Sequence, residues 1–459
     1  MIGVWQLLML AALLGWPVYN SGLAMVGEWR RSSRAIGDSG AVPTARPAME
    51  FWLVIPALNE ERVIAPTVAA ALDLDTPGIP VHVVVVDDGS TDRTPAILDG
   101  IDDRRLTVLH RAPPEARRGK GAALNAAYRE ICSLAVHLGA MDRIVVGVLD
   151  ADGRTTRESL AEVADVLAQP GVGACQTRVR IRNRTRLLAF VQDIEFACIA
   201  DAGQSWRNRV GSVGLGGNGQ YTRLSTLALL GRAPWSSCLV EDVELGIRLH
   251  LAGIGIRYTQ RAVTSQQAVT DIRRLLRQRS RWAQGNFQCG RYIRKLMASR
   301  EVTSLGLLDF LQYLLMPWLA VPLSIVIAVV LGCTIVFSLL GDTIPVLGDP
   351  RGVLWIGLTE LVGVILFPGL LWGTVHRLSL RDEPYWRCLL AGFVYPGFLL
   401  LGVVATWRGA RRQWAHDVQW DKTERAIEVG AEKAAAAVSE ALAGGAARAD
   451  RWVEPSPMT

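Results

Sequence analysis

The sequence predicts an α/β fold, a mostly parallel sheet covered by helices, continued by helices apolar enough to meet a bilayer. Three features predict it. Short apolar strands alternate with helical stretches from Phe51 to Gly153. The strands are too apolar to face water on either side, as "VHVVVVDD" from Val81 to Asp88 shows. The apolar surplus is gathered into a few long runs, in a chain of 459 residues of which half are hydrophobic. Strict alternation with strands buried on both faces marks a parallel sheet.

Residues 1–26 come first, and Ile2 to Val26 carry no charge. About 20 apolar residues suffice to cross a bilayer as a helix. A signal peptide would start with basic residues and end in a small-residue cleavage site, whereas Arg30, Arg31 and Arg34 follow this run. An uncleaved anchor is therefore expected, with its start outside and Arg30 onward in the cytosol. Residues 27–50 read as a polar cytosolic tether.

Residues 51–300 hold the α/β body. "FWLVIP" is a strand, followed by a helix through Val63–Leu72. "VHVVVVDD" is the second strand, with a helix near Thr94–Leu98. "LTVLHR" is the third, with a helix through Gly121–Leu138, and "RIVVGVLDADG" is the fourth. Ligands of such sheets sit at the carboxyl ends of the strands, which is where Asp87 and Asp88 fall.

Residues 301–425 hold the later apolar runs. Ser304–Leu340 has one charge, Asp309; Gly352–Val375 has one, Glu360; Cys388–Trp407 has none. If Pro317–Leu340, Gly352–Val375 and Cys388–Trp407 all crossed, the basic stretch "RGARRQW" would end outside, against the charge rule. Three crossings are expected instead, the N-terminal anchor and two later ones. Ser304–Leu315 then forms an amphipathic ledge, and 388–407 an interfacial hairpin bent at Pro396. Residues 426–459 are an Ala-rich tail of low complexity, given no chemistry.

The formal net charge is +6, and much of the basic excess adjoins apolar segments, as in "IRRLLRQRSRW" and "TWRGARRQW". That placement favours an anionic membrane surface or a phosphate-bearing substrate over nucleic acid. Seven cysteines without a C-x-x-C pair fit a reduced body rather than a disulfide framework or a zinc site.

Neither G-x-G-x-x-G after the first strand nor G-x-x-x-x-G-K-[ST] anywhere is present, so dinucleotide dehydrogenases and P-loop ATPases are unsupported. "PALNEE" follows the first strand and "LDADG" the fourth. Asp150 and Asp152, one residue apart, can converge on a hard divalent cation; a solvated turn is the alternative. Lys120 in "RRGKG" offers a charge for phosphate or a solvated basic loop. "VEDVELGIRLHLAG" reads as a helix from Glu241–Asp242 to Gly253, whose acids complement the helix dipole or supply a base. Gln278, Arg281 and Trp282 are spaced i, i+3, i+4 and share one face of a basic helix. That face could grip a diphosphate and a sugar ring, or lie at an interface.

In order along the chain, "VIPALNEE", "VVVDDGSTD", "GKGAALNAA", "DADG", "GGNGQYTR", "VEDVELGIRL" and "QRSRW" resemble a membrane-bound family 2 glycosyltransferase. That group includes the cellulose, chitin and hyaluronan synthases. The likeness runs from Phe51 to Trp282 and continues more loosely to "WDKTER". It implies a GT-A-like nucleotide-sugar-binding domain, a donor that is usually a UDP-sugar, Mg²⁺ or Mn²⁺, and inversion at the anomeric carbon. Carried over residue by residue, Pro56, Asn59 and Glu60 line the nucleotide pocket and Asp88 contacts the base or ribose. Asp150 lies near the ribose and sugar, and Asp152 holds the metal with it. Lys120, Gln278, Arg281 and Trp282 join the donor site. Gly217, Asn218, Gln220, Glu241 and Trp282 face the acceptor, and Asp242 is the base. Ser280 stands where the family often has a third basic residue, which weakens an inference of processivity.

The expected activity is elongation of a β-linked polysaccharide at the plasma membrane by a multi-pass protein with a cytosolic catalytic domain. The alternative is addition of one sugar to a membrane lipid. A non-catalytic scaffold would show loss of Asp152, Asp242 or Trp282, and all three are present. A glycoside hydrolase would need two carboxylates flanking the bond and no nucleotide pocket.

Overall fold

The computed structural model describes residues 18–27, 49–76, 78–138, 141–339 and 365–415. In chain order its elements are β1 (Glu50–Ala57), α1 (Ile64–Leu72), β2 (Val81–Asp87), α2 (Thr94–Asp99), β3 (Leu106–His110), α3 (Lys120–Leu138) and β4 (Ile144–Val148). Then come α4 (Arg157–Leu167), β5 (Val172–Ile181), α5 (Leu187–Ile194), a π-helical stretch Glu195–Ala200, α6 (Asp201–Val210), β6 (Gln220–Arg223) and α7 (Leu224–Ala228). The rest are α8 (Glu241–Leu251), β7 (Gly255–Gln266), α9 (Ile272–Cys289), α10 (Ile293–Ala298), α11 (Ser304–Leu339), α12 (Phe367–Leu380) and α13 (Tyr385–Trp414).

The seven strands form one sheet in the order β3-β2-β1-β4-β6-β5-β7. β1 pairs in parallel with β2 and with β4, and β2 with β3. β6 runs antiparallel to both β4 and β5, and β7 returns parallel to β5. The sheet is thus mostly parallel, as expected, with one reversed strand.

The continuous apolar runs have a simple cause. Successive side chains of a strand point to opposite faces, and both faces here are covered. Phe51, Leu53 and Ile55 of β1 pack with Ile64 and Val68 of α1 and Leu160 and Val163 of α4. Trp52 and Val54 face the other way, against Leu124 and Ile131 of α3 and Leu245 and Leu249 of α8.

Two further clusters fasten the C-terminal helices to this body. Phe190 and Ile194 of α5 pack with Trp372 of α12 and Tyr395 of α13, and Ala24 joins them. Val240 and Ile247 at α8 pack with Cys289, Leu296, Phe310 and Leu314 from α9, α10 and α11. Residues 18–27 are helical, and buried Asn20 accepts a 2.7 Å hydrogen bond from Trp372 Nε1.

The C-terminal expectation needs correction. Residues 388–407 are not a hairpin. α13 runs unbroken through Pro396 for 30 residues. A proline deletes one helical hydrogen bond and crowds the carbonyl four residues earlier; here packing against α9 and α12 holds the helix across that defect. α11 likewise continues through Pro317 and Pro322, so the ledge expected at Ser304–Leu315 is only its first part. Among the described residues, α13 is long and apolar enough to cross a membrane. Most of the N-terminal anchor, much of Gly352–Val375 and the whole Ala-rich tail lie outside the described residues.

Candidate active site

β1, β2 and β4 run the same way, so the loops after them meet at one edge of the sheet. A cavity of about 400 Å³ opens there. Of the residues singled out from sequence, Pro56, Glu60, Asp88, Lys120, Asp150, Gly217, Asn218, Glu241, Asp242, Gln278, Arg281 and Trp282 all line it. Asn59, Asp152 and Gln220 do not.

Those three are close by, each for a structural reason. Asn59 adopts a positive φ of 52°. Its Oδ1 accepts from Thr91 N at 2.7 Å, and its own N–H donates to Ser90 Oγ at 2.8 Å. It therefore braces the β1 and β2 loops from the exposed side. Gln220 is buried inside the sheet as the first residue of β6. Asp152 is 0% exposed, and its Oδ2 accepts the Gln267 N–H at 2.8 Å.

The adjacent acids Asp87 and Asp88 divide their work. Asp87 Oδ1 accepts the Ser90 N–H at 3.0 Å, and Oδ2 lies 3.0 Å from His110 Nδ1. Asp88 turns to the cavity and pairs with Arg111, which the sequence reading missed. Burial pushes the Asp88 carboxyl above the usual carboxylate range, against the pull of Arg111.

Lys120, the first residue of α3, is a largely enclosed cation at the cavity wall rather than part of a solvated loop. Its Nζ donates to Asp150 Oδ1 and to Gly217 O, each at 2.7 Å, and lies 3.9 Å from Glu241 Oε1. Burial works against its charge, but Asp150, Glu241 and Asp242 outweigh burial and raise its pKa. Gly217 needs its missing side chain. A Cβ there would lie 3.1 Å from Lys120 Nζ and 3.3 Å from Asp242 Oδ2. Asn218 fixes the same loop, accepting from Asp150 N at 3.2 Å and donating to Gln266 Oε1 at 3.0 Å.

Glu241 and Asp242 open α8, where the helix dipole favours anions. Burial nevertheless dominates. It raises the Glu241 carboxyl to about 7, with help from the Asp242 charge and against the pull of Lys120. Asp242 is raised as well, again chiefly by burial. An acid held near neutrality in a cavity is suited to proton transfer.

Trp282 is held from behind. Arg279 lies over its ring at 4.6 Å, and Phe196 from the π-helical stretch meets it edge-on at 6.4 Å. Arg279 is itself fixed by a two-pronged pair with Glu195. Neither partner carried a sequence signal, because both sit outside the spaced pattern of Gln278, Arg281 and Trp282. Ser280 is fully buried, and a Cβ on Gly409 of α13 would lie 3.0 Å from its carbonyl oxygen. A long basic side chain would have no room there, so this departure from the family pattern is a packing requirement.

No group of three or more His, Cys, Asp or Glu side chains that could hold a metal gathers among the described residues. Of the two expected ligands, Asp150 lines the cavity and offers the oxygen donor a hard cation takes beside a substrate diphosphate and water, whereas Asp152 is turned to Gln267 N.

The model of a family described as "Glycosyltransferase like family 2" matches residues 47–285. The β-monoglucosyldiacylglycerol synthase of Synechocystis sp. is 34% identical over 290 residues, covering 62% of this chain and 56% of the relative. The poly-β-1,6-N-acetyl-D-glucosamine synthase of Staphylococcus epidermidis is 26% identical over 282 residues, covering 60% and 65%. The chain thus spans between half and two thirds of the length of these relatives. Among solved structures, a mannosyltransferase from Pyrobaculum calidifontis overlays on 89% of this chain and 99% of its own at 18% identity and a TM-score of 0.47. That overlay is too loose to bear on function. The family match takes in more than half of the chain and all seven strands of the sheet, and on that ground the chain belongs to glycosyltransferase family 2.

Proposed function

We propose that the protein transfers a sugar from a nucleotide-sugar donor, with a UDP-sugar expected, to a hydroxyl of a membrane-held acceptor, with inversion. One observation carries this reading. Asp150, Lys120, Asp242, Arg281 and Trp282, drawn from four separate elements and loops, line one cavity at the carboxyl ends of the strands.

In this reading the nucleoside lies against Pro56 and Asp88, and the sugar lies against Trp282. Asp150, at the cavity wall, would hold Mg²⁺ or Mn²⁺, with Asp152 as second ligand once its side chain turns from Gln267 N into the cavity; the ion would neutralise charge on the diphosphate as the glycosidic bond breaks. Lys120 and Arg281 add fixed positive charge along the same path. The acceptor hydroxyl meets Asp242. Its oxygen attacks the anomeric carbon from the face opposite the diphosphate, and the bond from that carbon to the diphosphate oxygen breaks. The electron pair leaves with the diphosphate, and the hydroxyl proton passes to Asp242.

Two acceptors have support from relatives. Addition of one sugar to a neutral lipid rests on the 34% identity to a protein named for making glucosyldiacylglycerol. Elongation of a polysaccharide rests on the 26% identity to a poly-N-acetylglucosamine synthase. Membrane attachment is proposed through the N-terminal anchor and the apolar C-terminal helices, with the catalytic domain on the cytosolic face of the plasma membrane.

The test uses purified protein in detergent with a panel of radiolabelled nucleotide sugars and diacylglycerol micelles. Label that extracts into organic solvent as a single-sugar lipid supports the first acceptor, and label retained as high polymer supports the second. No transfer from any donor, by protein shown to be folded, would sink the enzymatic reading.

A further inference from the structure

The cavity that holds Asp242 does not end at the strand tips. Its far wall includes Arg207 of α6, Ser212 just beyond α6, and Asp309, Phe310 and Tyr313 of α11. Asp309 is the single charge in the apolar run from 304 to 340. α8 joins the two walls. Glu241 at its start lies 3.9 Å from Lys120 Nζ, while Ile247 further along packs in one cluster with Phe310. Asp242 therefore stands between the strand ends and the far wall.

The charges of that far wall cancel. Arg207 Nε donates to Asp309 Oδ2 at 3.0 Å, and Ser212 Oγ donates to the same oxygen at 2.9 Å. The guanidinium lies over the Tyr313 ring at 5.0 Å. Among the described residues, the terminal nitrogens of Arg207 and Oδ1 of Asp309 have no hydrogen-bond partner. Donors and an acceptor thus stand side by side on the cavity wall. A hydroxyl both donates and accepts, so it can use both at once. A phosphate near neutral pH offers mainly acceptors and negative charge. Asp309 repels it, and Arg207 has already been neutralised.

A structural role alone would be to tie α11 to α6. Thr303 already does this, its Oγ1 donating to Val210 O at 2.6 Å. A tie has no need to line the cavity, yet Arg207 and Asp309 both do, with side chains 25% and 10% exposed.

We propose that Arg207, Ser212 and Asp309 form the acceptor subsite, and that it takes an uncharged, hydroxyl-bearing terminus in preference to a phosphate-bearing one. The inference rests on the glycosyltransferase reading above. The same chemistry is offered by the glycerol hydroxyl of a neutral lipid and by the end of a glycan.

The experiment compares three acceptors in detergent: dioleoylglycerol, a short oligosaccharide, and oleoyl lysophosphatidic acid, which keeps a free glycerol hydroxyl beside its phosphate. Asp309→Asn keeps the shape but leaves Arg207 uncompensated. It should raise the KM of the preferred neutral acceptor about tenfold, the scale of one lost hydrogen bond at a charged group. UDP affinity should stay unchanged, and the rate ratio of neutral to phosphate-bearing acceptor should fall. Ser212→Ala, a smaller change, should raise the same KM severalfold and serves if the first variant does not fold. Which neutral acceptor responds separates lipid from glycan. Preference of the wild type for the phosphate-bearing acceptor, or folded variants with unchanged KM and unchanged ratio, would overturn the subsite. Equilibrium binding of each acceptor in the presence of UDP reads the same preference without turnover. Absence of transfer would then count against the enzymatic reading, while binding still decides the subsite.

Discussion

Glu241 and Asp242 are neighbours, yet they differ in reach. Glu241 is buried and close to Lys120, whereas Asp242 is less buried and has Oδ2 beside the Gly217 backbone. A base must be reachable by the acceptor, which favours Asp242. Asp242→Asn keeps the shape and cannot take up a proton, so turnover should fall about 10²–10⁴-fold with donor affinity near that of wild type. If Asp242 only complements the helix dipole, Asn serves nearly as well and the rate should barely change. The pH profile supplies an independent check. Both acids are raised, Glu241 to about 7. The base acts unprotonated, so kcat/KM should be lost on the acid side, at a pH above the ordinary carboxylate range. A wild-type profile flat through and below the ordinary carboxylate range would exclude both acids. At this scale the sequence was informative about place: Asp88 and Asp150, at strand ends, line the cavity. It did not show that the same loop needs a brace. Asn59 is held at positive φ across two loops, and nothing local distinguishes that task from ligand contact. Arg207 and Asp309 are 102 residues apart and meet only in the fold.

Elements with a strong period were legible, and those without one were not. β1 to β4 and the helices between them announce themselves by alternation. β6 is four residues, "QYTR", and its direction is set by two neighbours far away in sequence. The C-terminal helices show why composition misleads. Pro396 looked like a bend, but what matters is how closely α13 can approach its neighbours. Gly369 and Gly373 of α12 face it, and a Cβ at Gly373 would lie 2.3 Å from Cys388 O. Small residues four apart allow such close helix contact. Gly409 does the same toward α9, where a Cβ would lie 2.9 Å from Ala283 Cβ. Gly409→Leu should therefore wedge α13 off the helix that carries Gln278, Arg281 and Trp282. Expected results are faster proteolytic cleavage near residues 405–415 and reduced transfer, with UDP binding less affected than turnover. Unchanged cleavage and full activity would show that the contact has no part in the native assembly.

Whether α13 crosses the bilayer is a question about the whole molecule. The helix is long enough to do so, and Leu390, Phe393, Leu400, Val404 and Trp407 are exposed along it. Its contacts argue otherwise. Near its start, Arg387 donates to the carbonyls of Arg184 and Thr185. Near its end, Gly409 rests on Ser280 and Ala283 of α9. These points are 22 residues apart, about 33 Å along a helix at 1.5 Å per residue, and both lie on one catalytic body. A spanning helix would touch a domain on one side of the membrane at only one end, because the hydrocarbon core is about 30 Å thick. A helix fastened at both ends is expected to lie beside the domain and, in the membrane-attached reading proposed above, to turn its apolar face to the membrane surface. Single cysteines at Arg381 and Ala415, in a background lacking the seven native cysteines, give the test. Both should resist an impermeant maleimide in intact cells and react in inside-out vesicles. Labelling of one site in cells and the other in inverted vesicles would mean that α13 crosses, and that its two ends cannot share one domain as the structure has them.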